Sequence, residues 1–311
     1  MPLKEKLWDV VVIGGGPAGL SAAMVLSRSR RSVLVLDEGR QRNRRSQGLH
    51  NFLTRDGILP LDFLALAHEE LSRYPVSFVK SRAVKATKDY KRFVITDDSG
   101  KDHVAKRILL ATGVTDNIPS IPGMEELWGC AVFHCPFCDG FECKETHVGL
   151  YSHRHNGFGM AIALSHLSKK VSLFTDGAFY LKPAQKEQLS KKGIEVYTRK
   201  IARLIHTSET LQGVELTDGR KISCTSMFTN HGLQVNRTLL DQLGCRSTKK
   251  GAAITNRRQQ TNIPGVYVAG DASIDMHFVV VASAEGVKAA VAIHNDLIQE
   301  ENQEAMKVKD Q

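Results

Sequence analysis

The sequence predicts an α/β fold built from two nucleotide-type units in tandem. Three features lead there: short apolar runs with the character of buried parallel strands, glycine-rich turns behind them, and helical segments behind the turns. The first run, Trp8-Asp9-Val10-Val11-Val12-Ile13, passes through Gly14-Gly15-Gly16-Pro17-Ala18-Gly19 into a helical stretch from Leu20 to Leu26. A second apolar strand, Val33 to Leu36, ends at Asp37-Glu38. Phe93 to Thr96 reads as part of a hairpin closed by Asp97-Asp98-Ser99-Gly100, and Lys106 to Gly113 as another buried strand ending in a tight turn. Pro119, Pro122 and Gly123 mark a linker and a domain boundary. The second unit begins near His147, with a strand at Val148 to Tyr151, a helix around Met160 to Leu167 and a strand at Val171 to Phe174. Shorter strands, including Ile194 to Tyr197, fill residues 190 to 230. Gly265 to Asp271 is one more buried strand with a glycine turn. An amphipathic helix follows from about Ala282 to Gln299, and the polar tail from Glu300 to Gln311 is expected to fray.

Composition narrows the class. At 311 residues, 42% hydrophobic and 24% charged, the chain has room for two ordinary globular domains. No run of roughly 18 apolar residues offers a membrane span, and the first residues leave no space for a signal-peptide core, so a cytoplasmic location is expected. The net charge of +9 raises the question of nucleic acid. The basic residues gather at Arg28, Arg30 and Arg31 and at Arg40, Arg42, Arg44 and Arg45, flanking the second strand. There they read as a solvated face with one or two phosphate contacts, ahead of an acidic partner; no nucleic-acid motif accompanies them.

Gly14-x-Gly16-x-x-Gly19 lies between a strand and a helix, with Asp37 eighteen residues beyond the last glycine. Gly14 permits the tight turn, Gly16 lets a pyrophosphate approach the backbone, and Gly19 lets helix pack on strand. Pro17 and Ala18 open the helix whose N-terminus faces the phosphates. Asp37, or else Glu38, would accept from ribose hydroxyls. A glycine turn without a ligand is the competing reading. Ala111-Thr112-Gly113 and Gly265 to Asp271 resemble two further FAD motifs of the two-dinucleotide-binding flavoproteins. The resemblance implies that Gly270 and Asp271 contact the ribityl–pyrophosphate region, and that the backbone at His277, Phe278 and Val279 reaches the flavin ring.

Six cysteines are thinly spread except for Cys135 and Cys138. Such a pair can close a small disulfide loop, and its first thiolate is stabilised at a helix start. Half a zinc site and inert buried thiols are the competing readings. Zinc needs four ligands, and only His134 and Cys143 lie nearby in sequence, so no metal is expected. His134-Cys135-Pro136-Phe137-Cys138-Asp139-Gly140 resembles the redox motif of low-molecular-weight thioredoxin reductases. It is closer still to the subgroup with the gliotoxin and holomycin dithiol oxidases, which Phe52 to Gly57 and Phe174 to Gly177 also resemble. The resemblance covers essentially the whole chain. It implies two Rossmann-like three-layer dinucleotide-binding domains, the second inserted into the first: an FAD domain of residues 1–117 and 249–311, and a redox-pair domain of residues 118–248. It further implies a homodimer, Cys138 beside the flavin, Cys135 exchanging with substrate, and Asp139 as acid/base, with His134 a second acid/base candidate.

One departure bears on electron flow. Where the second nucleotide turn should carry glycines, the chain reads Ser152-His153-Arg154-His155-Asn156-Gly157-Phe158-Gly159, and Thr175 to Phe179 lacks the arginines that read a 2′-phosphate. Dithiol oxidation through Cys135–Cys138 to FAD and then oxygen is therefore the leading expectation. The alternatives are an NAD(P)H-driven disulfide reductase using Gly157 and Gly159, another electron donor, and a non-enzymatic flavin redox sensor. The substrate is open between a small dithiol or disulfide and a thioredoxin-like protein. Trp128, Phe137 and Phe141 could line its approach.

Overall fold

The computed structural model describes residues 6–273 and 276–309. From the N-terminus, β1 (Leu7–Ile13) leads to α1 (Pro17–Arg28), β2 (Val33–Asp37), α2 (Pro60–Leu71) and β3 (Val76–Lys80). The hairpin β4 (Ala83–Asp89) and β5 (Arg92–Asp97) runs into β6 (Asp102–Leu110), and β7 (Val114–Asp116) leaves this region. Next come β8 (Val132–Phe133), α3 (Pro136–Asp139), β9 (His147–Tyr151), α4 (Gly157–Leu164), β10 (Lys170–Phe174), α5 (Pro183–Lys191) and β11 (Glu195–Tyr197). A meander of β12 (Ile201–Thr207), β13 (Thr210–Leu216) and β14 (Lys221–Ser223) precedes β15 (Ser226–Thr229). The chain returns through β16 (Leu233–Val235), α6 (Thr238–Gln242), β17 (Val266–Val268) and α7 (Val279–Lys309).

The first sheet has the order β3-β2-β1-β6-β5-β4, with β17 also paired to β6. Its β6 does two jobs that the sequence presents as separate segments. Residues 102–105 pair antiparallel with β5, residues 104–110 run parallel to β1, and residues 108–110 run parallel to β17. One face is covered by α1 and α7, burying Val10, Val12, Leu26, Ala289 and Ile293. Burying five such side chains contributes on the order of 1 to 3 kcal/mol each, before chain entropy is subtracted. The second sheet, β11-β10-β9-β15-β8, is wholly parallel. β12, β13 and β14 form a three-stranded antiparallel sheet, and β7 and β16 pair with each other as a two-stranded antiparallel ribbon. The α/β class expected from the sequence is borne out.

Three expectations change. The tail from Glu300 is helical to Lys309, because α7 is tied down by ion pairs of Arg31 with Glu301 and Arg107 with Glu300 (2.8 Å). Residues 239–245, assigned by sequence to the inserted unit, place Leu239, Leu240, Leu243 and Cys245 in the core beneath the first sheet, with Trp8 and Val11. The predicted helix at Met160 to Leu167 begins and ends three residues earlier, at Gly157 and Leu164. The basic clusters are a largely exposed face, as expected, with Arg31 and Arg42 half-buried, and several of them are tied to the protein itself. Arg28 donates to the Tyr74 hydroxyl (2.5 Å), Arg31 pairs with Glu301, Arg42 with Asp116, and Arg45 donates to the carbonyls of Glu125 and Glu126.

Candidate active site

The first half of the site forms where β1, β6 and β17 end. Gly14 sits at φ +107°, a conformation that favours glycine, and a Cβ there would lie 2.2 Å from the Ala111 carbonyl oxygen. The turn Ala111-Thr112-Gly113 is thereby pressed against the Gly14 turn. A Cβ on Gly19 would meet the Gly14 carbonyl at 1.9 Å, so helix and turn touch backbone to backbone. Gly16, in contrast, faces open space: nothing lies within 4 Å of where its Cβ would be. Pro17 opens α1 at its first turn, and no side chain caps the helix, leaving N–H groups such as Ala18's directed into that space. The Asp37 carboxylate lies against Gly15 and accepts from Gln41 (2.8 Å), whereas Glu38 is exposed. Gly270 packs on Ala18, and its N–H is held by the buried Glu285 at 2.9 Å. Asp271 is half-buried and pairs with Arg42 at 3.3 Å. His277 and Phe278 run half-buried into Val279, the first residue of α7. An uncapped helix N-terminus, an open glycine cradle and a carboxylate at the end of β2 fit the pyrophosphate and ribose of a dinucleotide such as FAD.

The second half is the dithiol. All six cysteines are unbridged. Cys135 is the N-cap of α3, with Pro136 at the first helical position, so the fold aims a helix start at the first sulfur. A hydrogen bond from the Cys138 thiol brings the Cys135 pKa down to about 7, against burial and with help from the backbone N–H groups of Cys138 and Phe137. The same bond, with burial and the charges of Cys135 and Asp139, pushes Cys138 far above the ordinary thiol range. The helix start and the hydrogen bond from Cys138 thus favour a charged sulfur at Cys135. Burial raises Asp139 to about 7, and the Cys135 charge adds to this while His50 opposes it. His134 falls to about 4, from burial and the nearby Arg42, and it stacks on Trp128 with centroids 6.5 Å apart. At neutral pH it is an uncharged imidazole.

The sequence does not assign Arg42 or Asn51 the parts they play in this cluster, and it offers Phe137 and Phe141 as lining an approach. Arg42 links Asp116 at the end of β7 to Asp271 at the glycine turn, and its charge acts on His134, Cys135 and Cys138. A strap over residues 49–58, closed by the Leu49–Ile58 bridge, reaches α3 through Asn51, whose side-chain amide donates to the Phe137 carbonyl at 2.9 Å. Phe137 and Phe141 are exposed beside the pair. Cys143 is buried and bonds the Asp139 carbonyl at 3.3 Å. Among the described residues, no group of acidic, histidine and cysteine side chains could hold a metal.

The second nucleotide turn is filled by its own side chains. Ser152 is fully buried; its hydroxyl donates to the Arg154 carbonyl (3.1 Å) and accepts from the Arg154 N–H (3.2 Å). Gly157 packs so closely that a Cβ would lie 2.4 Å from the Ser152 hydroxyl. The Arg154 guanidinium crosses the turn to the His231 carbonyl at 3.0 Å. Asp176, beyond the end of β10, is held by Tyr151 (2.8 Å), His153 (3.1 Å) and the Ile201 N–H (3.2 Å).

A glycine-cradled dinucleotide site and a helix-capped dithiol together define a disulfide oxidoreductase of the thioredoxin reductase type. The chain belongs to the pyridine nucleotide-disulphide oxidoreductase family, whose family model matches residues 8–286. It is 30% identical over 307 residues to thioredoxin reductase sirT of Leptosphaeria maculans, covering 93% of this chain and 94% of that protein. Among solved structures, HlmI has a TM-score of 0.91 at 32% identity, covering 97% of this chain and 96% of that one. An oxidoreductase from Agrobacterium tumefaciens has a TM-score of 0.88 at 33% identity, with 94% and 99% covered. The resemblance carried by the Cys135-Pro136-Phe137-Cys138 motif is borne out. The family uses FAD, with NAD(P)H as the usual electron donor.

Proposed function

We propose that this protein oxidises a dithiol, its substrate entering at Cys135 and oxygen serving as final acceptor with hydrogen peroxide as product. The observation that supports this reading most directly is the filled second turn, where Ser152 and Arg154 stand in place of glycines and close the turn with their own hydrogen bonds. FAD, when bound, supplies the acceptor for the electron pair and its passage to oxygen. Its holders in this reading are Gly14, Gly16, Pro17, Ala18, Gly19, Asp37, Ala111, Thr112, Gly113, Gly270, Asp271 and the backbone at His277, Phe278 and Val279. Cys138 stands toward the flavin, and Cys135 meets the substrate. The depressed thiol and the carboxyl beside it suit exchange at neutral pH, since only thiolate attacks a disulfide. Asp139 takes the substrate's proton; the uncharged His134 offers a second acceptor.

The exposed Phe137 and Phe141 present apolar rings beside the sulfurs to the substrate, a small dithiol or a thioredoxin-like protein. The reading includes an FAD unit, an inserted redox unit joined to it by β7 and β16, a homodimer and a cytoplasmic location. An apolar stripe on α7, Val280, Val287 and Val291, supports the homodimer. Among the described residues, no helix is long and apolar enough to cross a membrane.

The test is anaerobic stopped-flow absorbance of the flavin. Dithiothreitol is expected to bleach it readily, and NADPH only slowly or at high concentration. Rapid stoichiometric bleaching by NADPH would restore the reductase reading.

A further inference from the structure

We propose that Glu285 is a positioning residue for the flavin: through two hydrogen bonds to one turn, it fixes the backbone of Asp271 at the glycine cradle. This inference rests on the reading of the first cradle as the FAD site and adds to it a residue from α7. That helix buries a face of small and apolar residues, Ala282, Gly286, Ala289, Ala290 and Ile293. Glu285 stands in the same face and is only 6% exposed. A carboxyl group buried there costs free energy unless its oxygens are bonded. The bonds it makes are specific. Glu285 Oε2 accepts from the Gly270 N–H at 2.9 Å and from the Ser273 hydroxyl at 2.8 Å.

These two donors are the ends of a single turn. The Ser273 N–H donates to the Gly270 carbonyl at 2.9 Å, closing four residues, and Gly270 takes φ +77° to enter it. The Ser273 hydroxyl has a second acceptor in that same carbonyl, at 3.0 Å. Asp271 and Ala272 are the central residues. The Ala272 carbonyl accepts from the Ala253 N–H at 2.8 Å, and the Ala269 N–H donates to Leu110 at the end of β6, at 3.1 Å. One carboxyl oxygen therefore grips both ends of a turn whose first central residue is Asp271.

The next residue along α7 sets the other wall. Gly286 lets the helix approach α1 so closely that a Cβ would lie 2.0 Å from the Ala18 carbonyl oxygen, and a Cβ on Gly270 would lie 3.0 Å from the Ala18 Cβ. Glu285 and Gly286 together thus seat the 270–273 turn against the start of α1. Glu285 holds the backbone of Asp271, while Arg42 pairs with its side chain at 3.3 Å. Both bonds to Glu285 ask only for an acceptor. An amide oxygen in the Oε2 position accepts them equally, whereas alanine leaves the buried Gly270 N–H without an acceptor.

The test uses the whole chain with flavin bound and follows flavin release after dilution, as the rise in free-flavin fluorescence, in variants whose circular dichroism matches the parent. Glu285→Ala is expected to release flavin on the order of tenfold faster, with its visible absorbance bands displaced, and Glu285→Gln to stay within about twofold of the parent. Because Glu285 acts through Asp271, the effects of Glu285→Ala and Asp271→Asn are expected not to add: the double variant should release flavin little faster than the faster single variant. Release from Glu285→Ala at the parent's rate, release from Glu285→Gln as fast as from Glu285→Ala, or full additivity would each overturn the proposal. Should Glu285→Ala fail to fold, Ser273→Ala removes one of the two bonds and decides in its place: faster release supports the proposal, and release at the parent's rate overturns it. A parent protein that takes up no flavin overturns the cradle reading itself, and the proposal with it. A parent that holds flavin beside an indifferent Glu285→Ala overturns the proposal alone.

Discussion

At the scale of the residue, the site turns on the hydrogen bond between its two thiols. Cys135 receives a hydrogen bond from Cys138 and two backbone N–H groups, so its alkylation is expected to rise with pH through a half-point at about 7. In Cys138→Ala the donor is gone, and the half-point should move toward the ordinary thiol value of about 8.5; an unmoved half-point would contradict the role of that bond. Asp139 has the opposite sign. Its folded pKa lies above the ordinary carboxylate value, so the stability it contributes is full below about pH 4 and is lost as pH rises through about 7. Urea midpoints at pH 5 and pH 8 should therefore differ less in Asp139→Asn than in the parent protein. Cys135 and Asp139 were legible in the sequence because a two-cysteine motif followed by an acid is local. Arg42 was read as a phosphate contact, and its pairing with Asp116 and Asp271 joins residues 74 and 229 positions away.

At the scale of the element, helix packing depends on a few absent side chains. α1 and α7 meet where a Cβ on Gly286 would lie 2.0 Å from the Ala18 carbonyl oxygen. Gly286→Ala must push the helices apart and is expected to cost roughly 1 to 3 kcal/mol in chemical denaturation, with weaker flavin retention because Ala18 opens the cradle. Gly159→Ala, which faces open space on α4, is the control that should leave both nearly unchanged. The strands of both units were readable from apolar runs, because a strand buried on both faces needs little but β-branched and aliphatic residues. The last turns of α7 were not. Their sequence is polar, and long-range pairs with Arg31 and Arg107 hold the helix there rather than an apolar face.

At the scale of the molecule, the proposed direction of electron flow rests on which nucleotide cradle is open. Gly16 faces free space in the first unit; in the second, Ser152 and Arg154 close the corresponding turn. Replacing both with glycine should admit a pyridine nucleotide and speed NADPH-driven bleaching on the order of tenfold, about 1.4 kcal/mol of added binding. Unchanged bleaching in a folded double variant would mean that the turn does not control access.

By itself, the sequence determined the α/β class, the first glycine cradle, the dithiol with its acid, and the altered second turn. Each is written within a few consecutive residues whose local chemistry constrains the backbone. Only the tertiary structure decided that the Cys138 thiol and the start of α3 lower the Cys135 pKa, that Arg154 spans the second turn to the His231 carbonyl, and that Asn51 ties the 49–58 strap to the redox helix. Hydrogen bonding, burial and charge at these positions depend on groups brought together by folding, and their separation along the chain hides them from any local pattern.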